Sequence, residues 1–424
     1  MRVQGLLASL AMVAALAAGG WACSNTTGGH GGSSSPESQE DCEEGETFHP
    51  VAEVCVEDQT DSNDFNQSTD NDGGENSQSN NDGGSNQIEE CGPGALKGQA
   101  CRPDGAPLPS AQITVEGEDC EDGEPFEMSV NADEDGMYQL DGIPAGEHTL
   151  EIRSGSFETS QPLYISKGET TDLEQEAAKV CIGDAAVDIA VLQGGLDDVV
   201  SILNTIGVSF DVVGADDGAD VPGGGVDSAI GFLTDLDEML DYDILFIECG
   251  DLWTQLETSP GVDINLVINN IREFVESGGS LYASDWAHPF IQNALPEAIE
   301  FYGDDPDSPS AARVGDSYDS FSPLEAEVVD DEVAGVLGTD EVDLELMILW
   351  AVAADAGDHS EVYFKGDPMI TDNGMSTTIY DAPLMISYED PGTVQGRAIF
   401  TSFHNQDQAA SVIEEIMEYV IFQL

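Results

Sequence analysis

The sequence predicts a multidomain protein in which a small all-β sandwich is followed by an α/β domain with a doubly wound sheet. Three observations support this fold class. Residues 1–90 combine an apolar leader with a long polar stretch. Residues 91–181 alternate apolar and polar side chains between turn signals. From residue 184 to residue 424, strand-like apolar runs alternate with amphipathic helical segments.

The first 22 residues have the pattern of a signal peptide. Arg2 supplies a positive charge, and the apolar run of residues 6–18 is too short to span a bilayer as a mature helix. The following "GGWAC" resembles the lipobox of bacterial lipoproteins, which implies that Cys23 becomes a lipidated N-terminus anchored in a membrane. Because Ser24 is not the aspartate of an inner-membrane retention signal, the resemblance implies the cell envelope, at the outer membrane. Ordinary signal cleavage after Ala22 is the alternative.

Residues 23–90 form the next predicted region, an acidic and polar stalk. Asn, Asp, Ser, Gln and Gly dominate the stretch "DSNDFNQSTDNDGGENSQSNNDGGSNQ". Such a composition cannot bury enough apolar surface to offset the conformational entropy that folding removes. We therefore expect a disordered linker between a lipid anchor and the folded domains.

The net charge of the chain indicates which partners it can bind and in which salt conditions it is stable. The chain holds 85 acidic and 10 basic residues, a net charge of -75. A field of this sign repels nucleic acid, so no nucleic-acid partner is expected. The acidic bias extends through the segments that are predicted to fold, which favours a saline, halophilic setting where mutual repulsion is screened. The sequence holds no calcium loop of the EF-hand type, and we predict no cofactor.

Residues 91–181 make up the predicted sandwich. "PLPSAQITV" places Ile113 and Val115 on one face of a strand, and "DGMYQLDGIPAGEHTLEI" predicts two strands joined by a turn. These residues resemble the carboxypeptidase regulatory-like domain, a transthyretin-like sandwich that is grouped by fold with carbohydrate-binding domains. The resemblance implies an accessory module, either a rigid spacer or a surface for carbohydrate or another cell-surface ligand. The lack of clustered aromatic residues favours the spacer.

Disulfide bonds are expected if the chain is exported. Of the eight cysteines, seven lie beyond Cys23. The predicted pairs are Cys42 with Cys55, Cys101 with Cys120, and Cys91 with Cys181. The last pair would tie the entrance of the sandwich to its exit. Cys249 is left without a partner.

Residues 184–424 are expected to form the α/β domain. The predicted strands are "VDIAVL", "SFDVV", "YDILFIEC", "SLYASD" and "GRAIFTSFHN", and the third is apolar enough to lie centrally in a parallel sheet. The predicted helices are "LDDVVSILNTIG", "NLVINNIREFVESGG" and "AASVIEEIMEYVIFQL". In the second helix, one face carries Val267, Ile271, Phe274 and Val275. Binding sites in such sheets lie at the carboxyl ends of the strands.

The order and spacing of these elements resemble the class I glutamine amidotransferase-like fold, which is of flavodoxin-like type. In that family a helix ends in Gly-Gly, a strand leads to a sharp elbow with a nucleophilic cysteine, and a later strand delivers a histidine followed by a glutamate two residues on. Here the elbow position falls on Asp285, the histidine position on His404, and the glutamate position on Gln406. Two of the three catalytic roles are changed, so the resemblance implies a degenerate site with no confident catalytic residue.

Residues at the same edge of the sheet are also candidates for ligand binding, metal binding or thiol chemistry. The candidate ligand-binding residues are Asp285, Trp286, His288 and Trp253, and a place in the core is the alternative for either tryptophan. Asp285, His288 and His404 are residue types that can ligate a divalent metal, although a buried ion pair or hydrogen bond between Asp285 and His404 is the plainer interpretation. Cys249 ends a central strand. It is either a reactive thiol or a cysteine that simply packs in the core.

Two functions fit these observations. The first is a non-catalytic, surface-exposed lipoprotein whose domains bind a ligand or display it. The second is a secreted hydrolase that uses Asp285 and His404, with or without a metal, on an amide, an ester or a glycoside. Because a carboxylate is a poor nucleophile toward an amide, the sequence favours the first function.

Overall fold

The computed structural model describes residues 46–49, 54–57, 91–174, 179–184, 186–216, 225–303, 308–319, 321–347, 349–392, 396–405 and 410–424. The chain divides into two compact units, residues 1–85 and residues 86–424. In the first unit, strands β1 (Glu46–His49) and β2 (Val54–Glu57) pair in antiparallel fashion. None of the helices in the described ranges is both long and apolar enough to cross a membrane.

The second unit begins with a β-sandwich of two four-stranded sheets. Its strands are β3 (Pro93–Cys101), β4 (Gln112–Glu118), β5 (Pro125–Asn131), β6 (Met137–Pro144), β7 (Gly146–Ser154), β8 (Phe157–Ile165), β9 (Thr170–Leu173) and β10 (Val180–Cys181). One sheet has the order β5-β4-β7-β8, and in the other β3 pairs with β6, β9 and β10. Ile113 and Val115 are both fully buried, which confirms the predicted alternation in β4.

A mixed nine-stranded sheet dominates the rest of this unit. The strands of this part are β11 (Ile189–Gln193), β12 (Asp211–Ala215), β13 (Ile244–Ile247), β14 (Ser280–Ser284), β15 (Ile299–Phe301), β16 (Arg313–Gly315), β17 (Leu324–Val328), β18 (Glu341–Leu344), β19 (Trp350–Ala351), β20 (Ala353–Ala356), β21 (Ser360–Gly366), β22 (Met369–Asp372), β23 (Met375–Thr378), β24 (Ala382–Glu389) and β25 (Arg397–Thr401). The strand order is β12-β11-β13-β14-β25-β24-β21-β17-β18.

The first five strands of that order are parallel, and the remaining four join in antiparallel fashion. β13 lies at the centre of the parallel part, as its apolar sequence predicts. The antiparallel half, together with two small sheets of order β15-β20 and β19-β16-β22-β23, was not predicted from the sequence. The observed domain is therefore mixed α/β with one large sheet.

Helices cover both faces of the large sheet. They are α1 (Val199–Ile206), α2 (Val226–Thr234), α3 (Leu236–Met239), α4 (Leu252–Thr258), α5 (Ile264–Glu276), α6 (His288–Ala294), α7 (Asp331–Leu337) and α8 (Ala410–Gln423). Side chains of α1, α7 and α8 share a core with one face, and side chains of α2 to α6 share a second core with the other face. The predicted helices α1, α5 and α8 are confirmed.

Helix α5 leads directly into the strand that carries the candidate site. The Asp263 carboxylate accepts a hydrogen bond from the Asn265 amide at 3.1 Å and so caps the first turn. The apolar face predicted for this helix is buried. Gly278 follows the last turn with a φ of 106°, a left-handed conformation that glycine adopts without strain. The chain then enters β14, whose residues are all buried.

A buried contact joins the sandwich to the α/β part. We call it the seam, and it consists of residues 154–157 of the sandwich and residues 422–424 at the end of α8. The Phe157 and Phe422 rings lie 4.8 Å apart, and Ser154 Oγ donates a hydrogen bond to the Phe422 carbonyl at 2.9 Å. The Ser156 amide donates to the Leu424 carbonyl at 3.1 Å. One hydrophobic core consequently extends from the sandwich to the sheet face covered by α1 and α8.

Candidate functional site

The sharp turn expected at Asp285 is present. Strand β14 ends at Ser284, and Asp285 opens a 3₁₀ turn (Asp285–Ala287) that continues into α6. Asp285 has a φ of 41°, a value that a non-glycine residue rarely adopts. Such strain persists only where surrounding contacts hold the residue in place, and it is common at functional sites. The surrounding contacts therefore hold Asp285 in this strained backbone conformation.

Both carboxylate oxygens of Asp285 have a partner. Oδ1 accepts a hydrogen bond from the Ala351 amide at 2.6 Å, and Oδ2 accepts one from the Cys249 thiol at 3.5 Å. Only 3% of the residue is exposed. Burial raises the pKa of the Asp285 carboxyl to about 7, since it outweighs the two hydrogen bonds, which favour the ionised form. At neutral pH this group is thus divided between its acid and its carboxylate forms.

A second buried aspartate, Asp197, joins the strand ends around the elbow. Its Oδ2 accepts hydrogen bonds from the Cys249 amide at 2.8 Å and from the Ser284 hydroxyl, and its Oδ1 accepts one from the Asn405 amide at 2.7 Å. The residue before Asp285 and the residue after His404 are therefore held by one carboxylate. Three donors satisfy polar oxygen atoms that would otherwise be costly to bury.

Glu248, directly after β13, is another buried acid beside the elbow. Its Oε2 accepts a hydrogen bond from the Gly194 amide at 3.0 Å, and its Oε1 accepts one from the Val199 amide, at the start of α1, at 2.9 Å. Burial and the nearby Asp197 raise the pKa of Glu248 well above its usual range despite these two donors. A Cβ on Gly194 would lie 2.0 Å from the Cys249 carbonyl, so only glycine permits this approach. We call Asp197, Glu248, Cys249, Ser284 and Asp285 the elbow cluster.

The Cys249 thiol lies in the same cluster, fully buried and without a disulfide bond. Burial, together with the charges of Asp285 and Asp197, raises its pKa well above the ordinary value. The thiolate is the reactive form of cysteine, so this thiol is a weak nucleophile at neutral pH. The packing interpretation of Cys249 fits these surroundings.

A segment that the sequence did not predict covers the elbow. We call residues 308–315 and 349–351 the cover. The Trp286 indole donates a hydrogen bond to the Leu349 carbonyl at 2.9 Å, and the Arg313 guanidinium lies 4.3 Å above the centre of the Trp286 ring. Arg313 also donates to the Trp286 carbonyl at 3.3 Å. Trp286, a candidate ligand-binding residue, stacks on an arginine of its own chain.

Two other candidate ligand-binding residues are in the core. Trp253 is 3% exposed, and its ring lies 5.1 Å from that of Phe290 in an edge-to-face arrangement. His288 is fully buried, and its Nδ1 lies 3.0 Å from the Asp285 carbonyl oxygen. Neither side chain offers a surface to a ligand, because the helices that pack on this sheet face enclose both of them. Both residues lie in the core, and a role in ligand binding stays a prediction for them.

His404 follows β25, beside the elbow strand, and only 3% of it is exposed. The topology thus brings His404 and Asp285 to the ends of adjacent strands, as the sequence predicts. In the described ranges no group of three or more His, Cys, Asp and Glu side chains is arranged to hold a metal ion. Gln406, Cys23, and the side chains of Cys42 and Cys55 lie outside the described part of the chain.

The disulfide pairing predicted for the sandwich was wrong. Cys101 is bonded to Cys181, with their Cα atoms 4.3 Å apart, whereas Cys91 and Cys120 are both unbonded. The reason is strand register: β10 runs parallel to β3 and sets Cys181 directly opposite Cys101. Spacing along the sequence does not reveal this register, because residues 80 positions apart are brought together only by the folded sheet.

Asp197 and Glu248 were not predicted as members of the site. One signal was available for each, since Asp197 lies two residues after the Gly-Gly that ends "VDIAVLQGG" and Glu248 is the residue before the last in the apolar "YDILFIEC". Acids that closely follow buried parallel strands lie at the edge of the sheet where such folds bind ligands.

Comparison with known proteins identifies one part of the chain. The family model of the carboxypeptidase regulatory-like domain matches residues 95–177. This match and the observed β-sandwich confirm the domain predicted there. The family model spans only the sandwich. No curated relative matches the chain.

Solved structures give weaker likenesses. The Bacillus anthracis TIE protein is 17% identical over 24% of this chain and 19% of its own length, with a TM-score of 0.18. The N-terminal domain named mmIFT52 is 9% identical over 55% of this chain and 95% of its own, with a TM-score of 0.34. PurLQS from Thermotoga maritima is 10% identical over 55% of this chain and 97% of that one, with a TM-score of 0.33. At these scores the likenesses carry no argument about function.

Proposed function

We propose that this protein is a lipid-anchored protein of the cell envelope whose carboxypeptidase regulatory-like domain and α/β domain bind or display a ligand and do not catalyse a reaction. The α/β domain would be a doubly wound, class I glutamine amidotransferase-like domain with a degenerate site. The anchor rests on the lipobox-like "GGWAC" and on the polar stretch that follows it. The non-catalytic role rests on the elbow.

The observation that carries this role is the enclosure of Asp285. A nucleophile or a general acid must reach the substrate within hydrogen-bonding distance. Asp285 is 3% exposed, and its two oxygens are occupied by the Ala351 amide and the Cys249 thiol. A substrate would have to displace the cover before it could touch this carboxyl. The cover is itself held by the contacts of Trp286 with Leu349 and Arg313.

The protonation states also argue against acyl transfer at the elbow. Hydrolysis of an amide through a covalent intermediate needs an activated nucleophile, a base, and a third group that orients the base. The one thiol of the elbow cluster has a raised pKa and is therefore poorly ionised. Asp285, whose pKa is about 7, could exchange a proton near neutral pH, and this is the chemistry that a hydrolase would use. The alternative hydrolase depends on opening the cover.

A spacer role for the sandwich is supported by its surface and by the seam. Sugar-binding faces commonly present aromatic rings, and within the described part of the sandwich Tyr164 is the one large hydrophobic side chain that is exposed. The seam docks the sandwich on the end of α8 through Phe157 and Phe422. A docked sandwich would act as a rigid spacer that is joined directly to the α/β domain.

Anchoring is tested by replacing the cysteine that would carry the lipid. Cys23→Ser should release the protein from the membrane fraction of the producing cell into the soluble fraction. Cys42→Ser is the matched control, because it removes a cysteine from the same polar region without touching the proposed lipid site. Membrane association that is unchanged in Cys23→Ser would refute the anchor.

The hydrolase alternative is tested by metal content. The purified chain that lacks residues 1–22 should contain no stoichiometric divalent metal after dialysis. A metal bound in a one-to-one ratio, and lost in Asp285→Ala, would favour a metal-assisted hydrolase over the binding function. Asp343→Ala, an exposed aspartate on β18, serves as the control.

A further inference from the structure

Two unbonded cysteines lie at one edge of the sandwich. Cys91 is half-buried two residues before β3, and Cys120 is exposed in the turn between β4 and β5. Hydrogen bonds shape that turn, since the Glu121 amide donates to the Asp119 carboxylate and the Gly123 amide donates to the Asp119 carbonyl, both at 2.7 Å. The turn is thus held in a defined conformation that presents Cys120 outward.

The fold brings the chain beside Cys91 to the turn that carries Cys120. A pocket of 210 Å³ is lined by Gly92 and Pro93 on one side and by Asp119, Cys120 and Glu121 on the other. The chain beside Cys91 is fixed, because the Gly92 carbonyl accepts a hydrogen bond from the Ala145 amide at 3.0 Å. The neighbouring Cys120 thiol is the largest cause of the raised pKa of Cys91, which indicates that the two side chains lie near each other.

We propose that Cys91 and Cys120 form a second disulfide bond of the sandwich, in addition to the bond between Cys101 and Cys181. The bond would fix the residue where the predicted stalk ends to the turn between β4 and β5. A pull transmitted along the stalk would then load a covalent link before it reached the hydrogen bonds of β3. This inference rests on the proposed function in one respect, because it requires export to an oxidising compartment.

The chemistry is a thiol–disulfide exchange with an oxidised dithiol catalyst of the cell envelope, or with glutathione disulfide in vitro. The exposed Cys120 thiolate attacks the disulfide of the oxidant, forms a mixed disulfide and releases one thiol. Cys91, deprotonated, attacks the Cys120 sulfur, closes the bond and releases the second thiol. The two cysteines lose two protons and two electrons, and the electrons reduce the disulfide of the oxidant to two thiols.

The surroundings of Cys91 set the pH dependence of the closing step. The hydrogen bond with Cys120, partial desolvation, and the charges of Glu121 and Asp119 raise the pKa of Cys91 to about 11. The thiolate fraction of Cys91 therefore rises about tenfold for each pH unit below that value. Raised pH should speed closure in vitro in the same proportion where closure limits the rate.

Peptide mapping tests the proposal on the exported full-length protein. The sample is denatured without reductant, its free thiols are alkylated, and the digest is analysed by mass spectrometry. We expect a linked pair of peptides that contains Cys91 and Cys120, about 2 Da lighter than the two thiol peptides together. In Cys91→Ser, Cys120 should become alkylated while the bond between Cys101 and Cys181 persists. Cys120→Ser should free Cys91 in the same way.

The bond between Cys101 and Cys181 is the internal control that separates the two possible failures. If that bond is found and Cys91 and Cys120 are both alkylated, the proposed bond does not exist, although export stands. If all four cysteines are alkylated, the proposal falls together with the oxidising compartment on which it depends. A peptide that links Cys91 or Cys120 to any other cysteine would also overturn it.

Discussion

The seam and the elbow cluster are both buried, yet they are built from opposite kinds of contact. The seam joins apolar rings and backbone groups, with Phe157 fully buried against Phe422. The elbow cluster joins three acids, a thiol and a hydroxyl at the carboxyl ends of the parallel strands. Burial of apolar surface stabilises a fold, whereas burial of carboxyl groups costs free energy even when each has a donor. The two regions should therefore respond oppositely to mutation.

The pKa shifts give the direction of that cost. The folded state raises the pKa of Asp285 to about 7 and the pKa of Glu248 well above its usual range, and the largest cause is burial in both cases. A fold under selection for stability alone would favour apolar residues of similar volume at such positions. The elbow cluster thus links the strand ends through hydrogen bonds to buried acids, at a cost in stability.

The largest effect is expected at the seam. Phe157→Ala should lower the free energy of unfolding by about 3–5 kcal/mol, since it removes a fully buried ring and leaves a cavity against Phe422. Tyr164→Ala, on the same strand but 44% exposed, is the control and should cost less than about 1 kcal/mol. Urea titration at constant salt is the suitable measurement, because an ionic denaturant would also screen the acidic surface. Equal costs for the two variants would contradict a structural seam.

The second effect is a dependence on pH at the elbow. Between the ordinary pKa of 3.8 and the folded value of about 7, the unfolded chain releases the Asp285 proton while the folded chain keeps it. The free energy of unfolding therefore falls as pH rises through this range, by up to about 1.4 kcal/mol per pH unit. Asp285→Asn cannot ionise and escapes this loss.

We therefore expect the stability of Asp285→Asn relative to the unmodified protein to increase by about 2–4 kcal/mol from pH 4.5 to pH 7.5. Urea titrations across this range measure it. Asp343→Asn, which alters an exposed aspartate, should show no such trend. Parallel curves for Asp285→Asn and the unmodified protein would mean that Asp285 is not enclosed as described.

The smallest effect is expected from one hydrogen bond of the seam. Ser154→Ala removes the donor to the buried Phe422 carbonyl, which should cost about 1 kcal/mol. Ser160→Ala, on the exposed side of β8, is the control and should change the stability little. A cost no greater than that of Ser160→Ala would show that the seam is held by apolar packing alone.

Features that depend on neighbouring residues could be predicted from the sequence. The alternation at Ile113 and Val115, the apolar face of α5 and the turn at Asp285 each depend on a few neighbouring residues, and all are present. The cover and the contacts of Asp197 depend on segments far apart in the chain, as does the register that joins Cys101 to Cys181. No periodicity reports such contacts, so the neighbours of Trp253 and His288 could not decide between a core position and a ligand-binding position.

The catalytic inactivity of the elbow is the central claim, and ammonia release from glutamine tests it most directly. In the amidotransferase-like arrangement three roles act together, and the loss of one removes most of the rate. The chain that lacks residues 1–22 should release no more ammonia than its His404→Ala variant. Asp285→Cys should not restore turnover, because the histidine would still lack its orienting acid. Asp285→Cys combined with Gln406→Glu is the sharper test, since it restores both changed positions. Ammonia release by the unmodified protein that His404→Ala abolishes would contradict the claim and make this domain an enzyme.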